Sequence, residues 1–140
     1  MKSKAPLALM EQAIMLCVFA LAAVLCLQAF LWADRQSDFC ADRDRATVQA
    51  QNAAEVIKHT RGDLSDAARL YGGQADDTGW TVFYDENWQQ TDAESGHRLH
   101  VTPEHTAIPL LGRAVVEVTR ADGSALALLS VQWQEVSRDG

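Results

Sequence analysis

Apolar residues are concentrated in one stretch near the start of the chain, and the residues after that stretch have mixed polarity. From Ala13 to Ala33 the only side chain with a strong polar group is Gln28. This run of about 21 residues spans roughly 31 Å as an α-helix, which matches the hydrocarbon core of a bilayer. The pattern predicts a transmembrane helix at 13–33, preceded by a short cytoplasmic leader at 1–12.

The apolar run is longer than the apolar region of a secretory signal that is cleaved. Its end, LQAFLWADRQ, has bulky residues where a signal peptidase needs small ones. Trp32 in that segment suits the interface between membrane and water. The sequence therefore favours a retained anchor over a cleaved signal.

The helical pattern continues beyond the apolar run. No proline or glycine occurs from Asp34 to His59, and apolar residues recur at helical spacing at Phe39, Ala46, Ala50, Ala53 and Ile57. This spacing marks one face of an amphipathic helix, so we predict a helical extension at 34–61. The other faces carry charged residues, Asp42 among them, which we expect to be exposed.

In the second half of the chain, the spacing of apolar residues changes from a helical period to the alternation that is typical of strands. Asp63 is placed as the N-cap of a short second helix over 64–71, which Gly72 and Gly73 end. Alternating apolar residues then predict strands at 80–84, 88–91 and 98–102, and a hairpin across Asp122-Gly123. We expect an α+β fold in which the long N-terminal helix packs on an antiparallel sheet of four to five strands, with 62–140 forming an extracytoplasmic domain.

The distribution of charge agrees with this division and narrows the classes of partner. Lys2, Lys4 and Glu11 contribute +1 to the whole chain's formal charge of −7, which leaves −8 after the apolar run begins. Basic residues before a spanning helix favour a cytoplasmic N-terminus. An acidic domain without a cluster of Lys and Arg excludes nucleic acid as an expected partner.

The residue types that carry catalysis or bind metals form no recognisable motif. His97 and His100 are three residues apart on a predicted strand and face opposite ways, and no cysteine or regular ligand spacing accompanies them. We therefore interpret the histidines as surface residues and expect no metal site, no cofactor and no enzymatic activity. Three tryptophans, Trp80, Trp88 and Trp133, are expected in the sheet core, although Trp88 has the alternative of exposure to a partner.

The three cysteines have different surroundings. Cys17 and Cys26 lie on opposite sides of the predicted transmembrane helix, so they cannot pair within it. Cys40 follows the membrane segment. It either forms a disulfide between two copies, where the outside is oxidising, or remains a free thiol.

The string KAPLALMEQAIMLCVFALAAVLCLQAF, residues 4–30, places a basic leader before an apolar helix with an acid near its start. It resembles the N-terminus of type IV pilins and pseudopilins, and the predicted long helix followed by a small sheet is similar to their architecture. The strings ALAAVLCLQAFLWADR, DRDRAT and QNAAEVIK resemble small uncharacterised pilin-like membrane proteins of Gram-positive bacteria.

The resemblance implies a processing site between Pro6 and Leu7, which would make Glu11 the fifth residue of the processed chain. In the family that acid pairs with the amino terminus of a neighbouring subunit. Pro6 departs from the family pattern, in which leaders end in glycine or occasionally alanine, and proline fits a protease cleft poorly. Without cleavage, Lys2 or Lys4 of a neighbour is the alternative partner.

Two polar residues of the apolar helix have alternative roles that the sequence leaves open. Glu11 either pairs with a neighbouring subunit or lies unpaired at the interface, where the helix dipole favours it. Gln28 either bonds to a second helix or reaches the headgroups. We expect a membrane-anchored pilin-like or minor pseudopilin-like structural subunit that associates with itself or with other pilin-like subunits. The alternative is a membrane-tethered binding module that acts without a filament.

Overall fold

One long helix, α1, occupies Ala5–His59, which is 55 residues. The computed structural model describes residues 4–135, and the chain divides into two units, Met1–Cys40 and Ala41–Gly140. The continuity of α1 follows from the absence of glycine and of any proline after Pro6, which stands in the first turn where its missing N–H costs nothing. Lys2, one of the expected partners of Glu11, lies outside the described residues.

The end of α1 and the start of the second helix, α2 (Leu64–Tyr71), are fixed by local hydrogen bonds. The N–H of Gly62, whose φ is +83°, donates to the Ile57 carbonyl at 2.9 Å and closes the C-terminal turn of α1. The Asp63 carboxylate then accepts from the N–H groups of Ser65 and Asp66. The predicted N-cap and the predicted span of α2 are both confirmed.

The rest of the second unit is a six-stranded antiparallel sheet. The order across it is β1-β2-β4-β5-β6, and β3 pairs with the same edge of β2 as β1 does. The strands are β1 (Gln74–Ala75), β2 (Trp80–Tyr84), β3 (Gln90–Thr91), β4 (His97–Glu104), β5 (Leu111–Arg120) and β6 (Ala125–Gln134). The α+β prediction is confirmed. There are six strands because the two-residue strand β1 adds to the predicted sheet, and β3 is a shortened form of the strand predicted at 88–91.

Two strand boundaries differ from the predicted ones. Trp88 is not extended: it sits in the turn between β2 and β3 with a φ of +61°, because the Asp85 carboxylate accepts from the N–H groups of Asn87 and Gln89 and tightens that turn. Pro103 does not end β4, which continues to Glu104. The predicted hairpin at Asp122-Gly123 is present, and Gly123 has a φ of +83°.

The core of the second unit lies between the alanine face of α1 and one face of the sheet. We call Ala46, Ala50, Ala53 and Ala54 the alanine face; each is at most 4% exposed. Large side chains of the sheet, such as Trp80, fill the space that these small residues leave, and the whole set forms one apolar cluster. Phe39, assigned to the same stripe by the sequence, belongs to the first unit and is 37% exposed.

The indole of Trp133 on β6 covers the end of α1. A Cβ atom added to Gly62, which follows α1, or to Gly112 on β5 would collide with the Trp133 ring. The absence of a side chain at both positions therefore lets the indole lie between the two backbones. Contacts between these three residues connect the end of the helix to strands β5 and β6.

The close approach of helix and sheet makes the alanine face sensitive to added volume. We expect Ala50→Leu to lower the free energy of unfolding by about 1–3 kcal/mol, because the extra atoms have no space against the sheet. Chemical denaturation of the full chain in detergent, followed by tryptophan fluorescence, measures the change. The matched control is Gln51→Leu on the exposed side of α1, with an expected change within about 0.5 kcal/mol. Equal destabilisation by both variants would contradict this packing.

Candidate functional site

The surface of α1 within the first unit is apolar and uncovered by the rest of the chain. Its most apolar 18-residue window has a mean hydropathy of 2.7, and none of that window is buried. Leu7, Phe19 and Trp32 are each at least 70% exposed. By length and composition the helix is a candidate membrane span, and an exposed apolar surface of this kind is typical of a site that contacts lipid or another protein.

The two polar residues of this segment lie on different faces of α1. Glu11 and Gln28 are 17 residues apart, which on an α-helix places them about 25 Å apart along the axis and about 100° apart around it. Because of that angle, one neighbouring helix cannot contact both residues over a single seam. If both residues bind other helices, α1 has at least two neighbours.

Small residues follow the Glu11 face towards the C-terminal side of the apolar segment. Ala22, Cys26, Ala29 and Ala33 all lie within about 60° of Glu11 around the helix. Cys17 instead lies within about 20° of Gln28. Since small residues allow helices to approach closely in a membrane, the Glu11 face is suited to helix packing. Cys26 therefore lies on the Glu11 face, and Cys17 lies on the Gln28 face.

The other residues of the candidate site stand where the helix begins and at its outer end. Pro6 and Leu7 occupy the first turn of α1, and Leu7 is 72% exposed. The three cysteines are exposed free thiols, and the Cys40 sulfur accepts a long hydrogen bond from the Gln36 amide at 3.8 Å. The structure brings none of Glu11, Gln28 and Cys40 into contact with one another, because they are spread along one helix.

A polar cluster in the second unit was not predicted from the sequence. The Arg120 guanidinium, at the end of β5, donates to the Asp42 carboxylate of α1 at 2.5 Å. His97, the first residue of β4, has its Nε2 atom 3.8 Å from the same carboxylate oxygen. Asp42, expected on an exposed face, is half-buried and connects α1 to the sheet.

Burial at the strand start explains why the interpretation of His97 as a surface residue was wrong. His97 is 6% exposed, and its ring stacks on Trp88 with centroids 4.0 Å apart. Its Nδ1 lies 3.3 Å from the Asp85 carbonyl, which only accepts, so Nδ1 carries the proton. The signal for this burial was in the sequence: Leu99 and Val101 face inward, and His97 continues the same alternation.

The electrostatics of the cluster favour the ionised form of Asp42. Partial burial raises the pKa of this carboxyl, but the hydrogen bond from the Arg120 guanidinium and its positive charge outweigh the effect of burial, so the pKa lies below its ordinary value. The Trp88 and His97 ring nitrogens that face inward, Nε1 and Nε2, have no hydrogen-bond partner among residues 4–135. The cluster is thus an ion pair bordered by two buried rings.

A cleft of about 320 Å³ opens beside this cluster, at the ends of β4 and β5. Its lining includes His97, Arg98, Thr119 and Arg120. Over residues 4–135, no three His, Cys, Asp or Glu side chains are grouped so that they could hold a metal ion. The arrangement therefore has charged donors beside an open cleft.

Comparisons with models of protein families, with curated proteins and with solved structures give no match for this chain. The class that the fold defines is an α+β chain with a candidate membrane span in a long N-terminal helix.

The lowered pKa of Asp42 predicts a pH-dependent contribution to stability. A carboxyl whose pKa is lower in the folded state stabilises the fold above its unfolded pKa, near 3.8, and loses that contribution as pH falls through the folded pKa. We expect Asp42→Asn to be less stable than the wild type by about 1 kcal/mol at pH 7, since the pair is partly screened by solvent. The difference should shrink below pH 4.

Urea denaturation of both proteins at pH 7, 5 and 3 measures this dependence. Asp44→Asn is the matched control, because Asp44 lies on the exposed side of the same helix. A stability difference between wild type and Asp42→Asn that is the same at pH 7 and pH 3 would contradict the role of the ionised carboxylate.

Proposed function

We propose that the chain is a single-pass membrane protein that acts as a pilin-like or minor pseudopilin-like structural subunit. In this proposal, packing between the N-terminal helices of several subunits assembles an envelope filament or a secretion or uptake assembly. The observation that carries the proposal is the 55-residue helix α1, whose first part is apolar and uncovered while its last part packs on the chain's own sheet.

The orientation in the membrane follows from the charges. Lys4 precedes the apolar segment, and the acidic domain follows it. Basic residues remain on the cytoplasmic side, so the N-terminus is cytoplasmic and the α+β domain is extracytoplasmic. We propose no enzymatic activity, because the half-buried ion pair of Asp42 and Arg120 already explains the charged cluster as a structural element.

The two polar faces of α1 support assembly from more than two helices. A charge near low dielectric is costly unless it is paired, so a partner for Glu11 fixes the register of one helix against the next. Gln28, about 100° away around the helix, bonds to a second neighbour. A bundle or filament supplies both neighbours at once, whereas a two-helix dimer with one seam supplies only one.

Cysteine crosslinking separates the two faces. In chains that keep only Cys26, oxidation in native membranes should give disulfide-linked dimers, and Glu11→Ala should lower their yield at least about fivefold because the registering charge is lost. In chains that keep only Cys17, Gln28→Leu should lower the yield and Glu11→Ala should have less effect. Quantification on non-reducing gels measures both yields.

The matched control is the chain that keeps only Cys40, which lies outside the apolar run. In this Cys40-only chain, Glu11→Ala and Gln28→Leu should leave membrane insertion, measured by alkaline extraction, the same as without them. Self-association that is unchanged by both Glu11→Ala and Gln28→Leu would overturn the assembly proposal and leave a helix that is only an anchor.

The mass of the N-terminus identifies the partner of Glu11. A mature chain that begins at Leu7 provides a new amine, and Glu11 then pairs with it in a neighbour. A chain that keeps its leader leaves Lys4 as the cation, and Lys4→Ala should then lower Cys26 crosslinking as much as Glu11→Ala does. Intact-mass spectrometry of the protein purified from membranes distinguishes the two cases, and a cut after Ala33 would overturn the anchor.

A second candidate function is a membrane-tethered binding module that acts without a filament. The cleft beside His97, Arg98 and Arg120 is the observation that favours it, since two guanidinium groups face a space of about 320 Å³. In this case the crosslinking yields are low in every variant, while Arg98→Ala alters ligand capture by the extracytoplasmic domain.

A further inference from the structure

The two edges of the sheet differ in how they are covered by other strands. The β2 edge is covered by the short strands β1 and β3, whereas β6 is an edge strand that pairs only with β5 among the described residues. The ten residues of β6, ALALLSVQWQ, include no charged residue, no proline and no glycine. Edge strands are normally protected by charged residues, proline, bulges or short length. The ladder between β5 and β6 has a register shift at Val118 and Thr119, near the start of β6, and from Ala127 onwards β6 is regular and has the character of a pairing edge.

The outward hydrogen-bonding groups of β6 can be identified from the ladder. The Glu135 N–H donates to the Leu110 carbonyl at 2.8 Å, and in an antiparallel pair the bonded positions recur every second residue. Residues 127, 129, 131 and 133 therefore bond to β5. The N–H and C=O groups of Leu128, Ser130 and Gln132 point away from β5 and are free to accept another strand.

A groove follows this edge on its helix side. Its volume is about 670 Å³, and it lies between residues 51–58 of α1 and residues 129–132 of β6. Leu129 and Val131 provide its apolar side, and Glu55 and Lys58 stand at its rim. A strand added to β6 would send every second side chain towards this groove, so an added strand needs apolar residues at alternate positions.

Charges at the two ends of β6 specify the ends of the added strand. Asp122 precedes β6 in the hairpin turn and Glu135 follows it, and the chain after the start of the apolar run carries −8. On its paired edge, β6 binds the strand RAVVEVTR, which has alternate apolar residues facing inward and whose terminal arginines pair with Glu104 and Asp42. A strand on the free edge needs the same apolar alternation, and cations at its ends would lie near the exposed Asp122 and Glu135.

From this chemistry we propose that β6 binds an extended segment of a partner protein as a seventh strand. The segment has about eight residues, apolar at alternate positions, with Lys or Arg at both ends. It runs antiparallel to β6, so that its N-terminal cation lies near Glu135 and its C-terminal cation near Asp122. This binding surface includes residues 51–58 at the end of α1 but not the apolar segment of that helix, so it does not depend on the assembly proposed above.

The probe is a capped peptide with the sequence of residues 112–121, GRAVVEVTRA, added to the full chain in detergent. We expect it to slow amide hydrogen exchange at Leu128, Ser130 and Gln132, read at residue level by NMR. Gln132→Pro removes one outward N–H and leaves the ladder to β5, so peptide affinity should fall about fivefold or more. Gln132→Thr is the matched control and should bind like the wild type.

Leu128→Pro and Leu128→Thr repeat the comparison at a second outward position, so that misfolding of one proline variant does not decide the result. A peptide with Glu in place of both Arg residues should bind at least about tenfold more weakly at low salt. Equal affinity for the proline and threonine variants, or no slowing of exchange at millimolar peptide, would overturn the proposal. Slowed exchange that rises with protein concentration in the absence of peptide would overturn it in favour of a second copy as the occupant.

Discussion

The packing of the alanine face of α1 on the sheet is the constraint on which the second unit depends. Four alanines at helical spacing present almost no side-chain volume, and large side chains of the sheet fill the space between helix and sheet. The inward face of the sheet carries large residues, and Trp80 and Tyr84 are fully or almost fully buried. A helix with large residues on this face would require small ones on the sheet. The two patterns are therefore complementary and define one core without any disulfide.

Hydrogen bonds at the margin of that core fix the rotation of the helix about its own axis. The Tyr71 hydroxyl donates to the Gln49 side-chain oxygen at 2.6 Å, and the Tyr84 hydroxyl lies 3.2 Å from that of Tyr71. At the other end, Asp42 binds Arg120. Because Asp42 and Gln49 stand seven residues apart on one side of α1, the pair of contacts selects which face of the helix meets the sheet.

Periodicity was sufficient to predict the elements that bury many residues in a regular pattern. Local sequence patterns were enough for three features: the alternation in β5 and β6, the apolar stripe on α1 and the N-cap at Asp63. Each of these patterns is compatible with only one type of secondary structure. The strand β1 carries no such signal, because a two-residue strand is defined by its neighbour and not by its own sequence. The extended conformation predicted for Trp88 was wrong, because the Asp85 side chain, and not a glycine, shapes the turn that includes it.

The residues of the candidate site also differ in whether a local sequence pattern reveals them. Glu11 and Gln28 stand out by residue type at the start of and within an apolar run, whereas one chain carries no signal for any partner in another molecule. The ion pair of Asp42 and Arg120 joins residues 78 positions apart, and no local signal connects them. His97 is different, since the inward alternation of β4 already included it and only its residue type favoured the surface.

The position of Trp133 over Gly62 has a consequence for the order of events during synthesis. The indole that covers the end of α1 belongs to the last strand, and Arg120, the partner of Asp42, is nearly as late. Contacts of such long sequence separation form slowly, because a large loop must close before they contribute. The alanine face of α1 is therefore still bare when the helix has been synthesised, and completion of the second unit comes only after translation of β6. The topology itself separates formation of the helix from closure of the core in time.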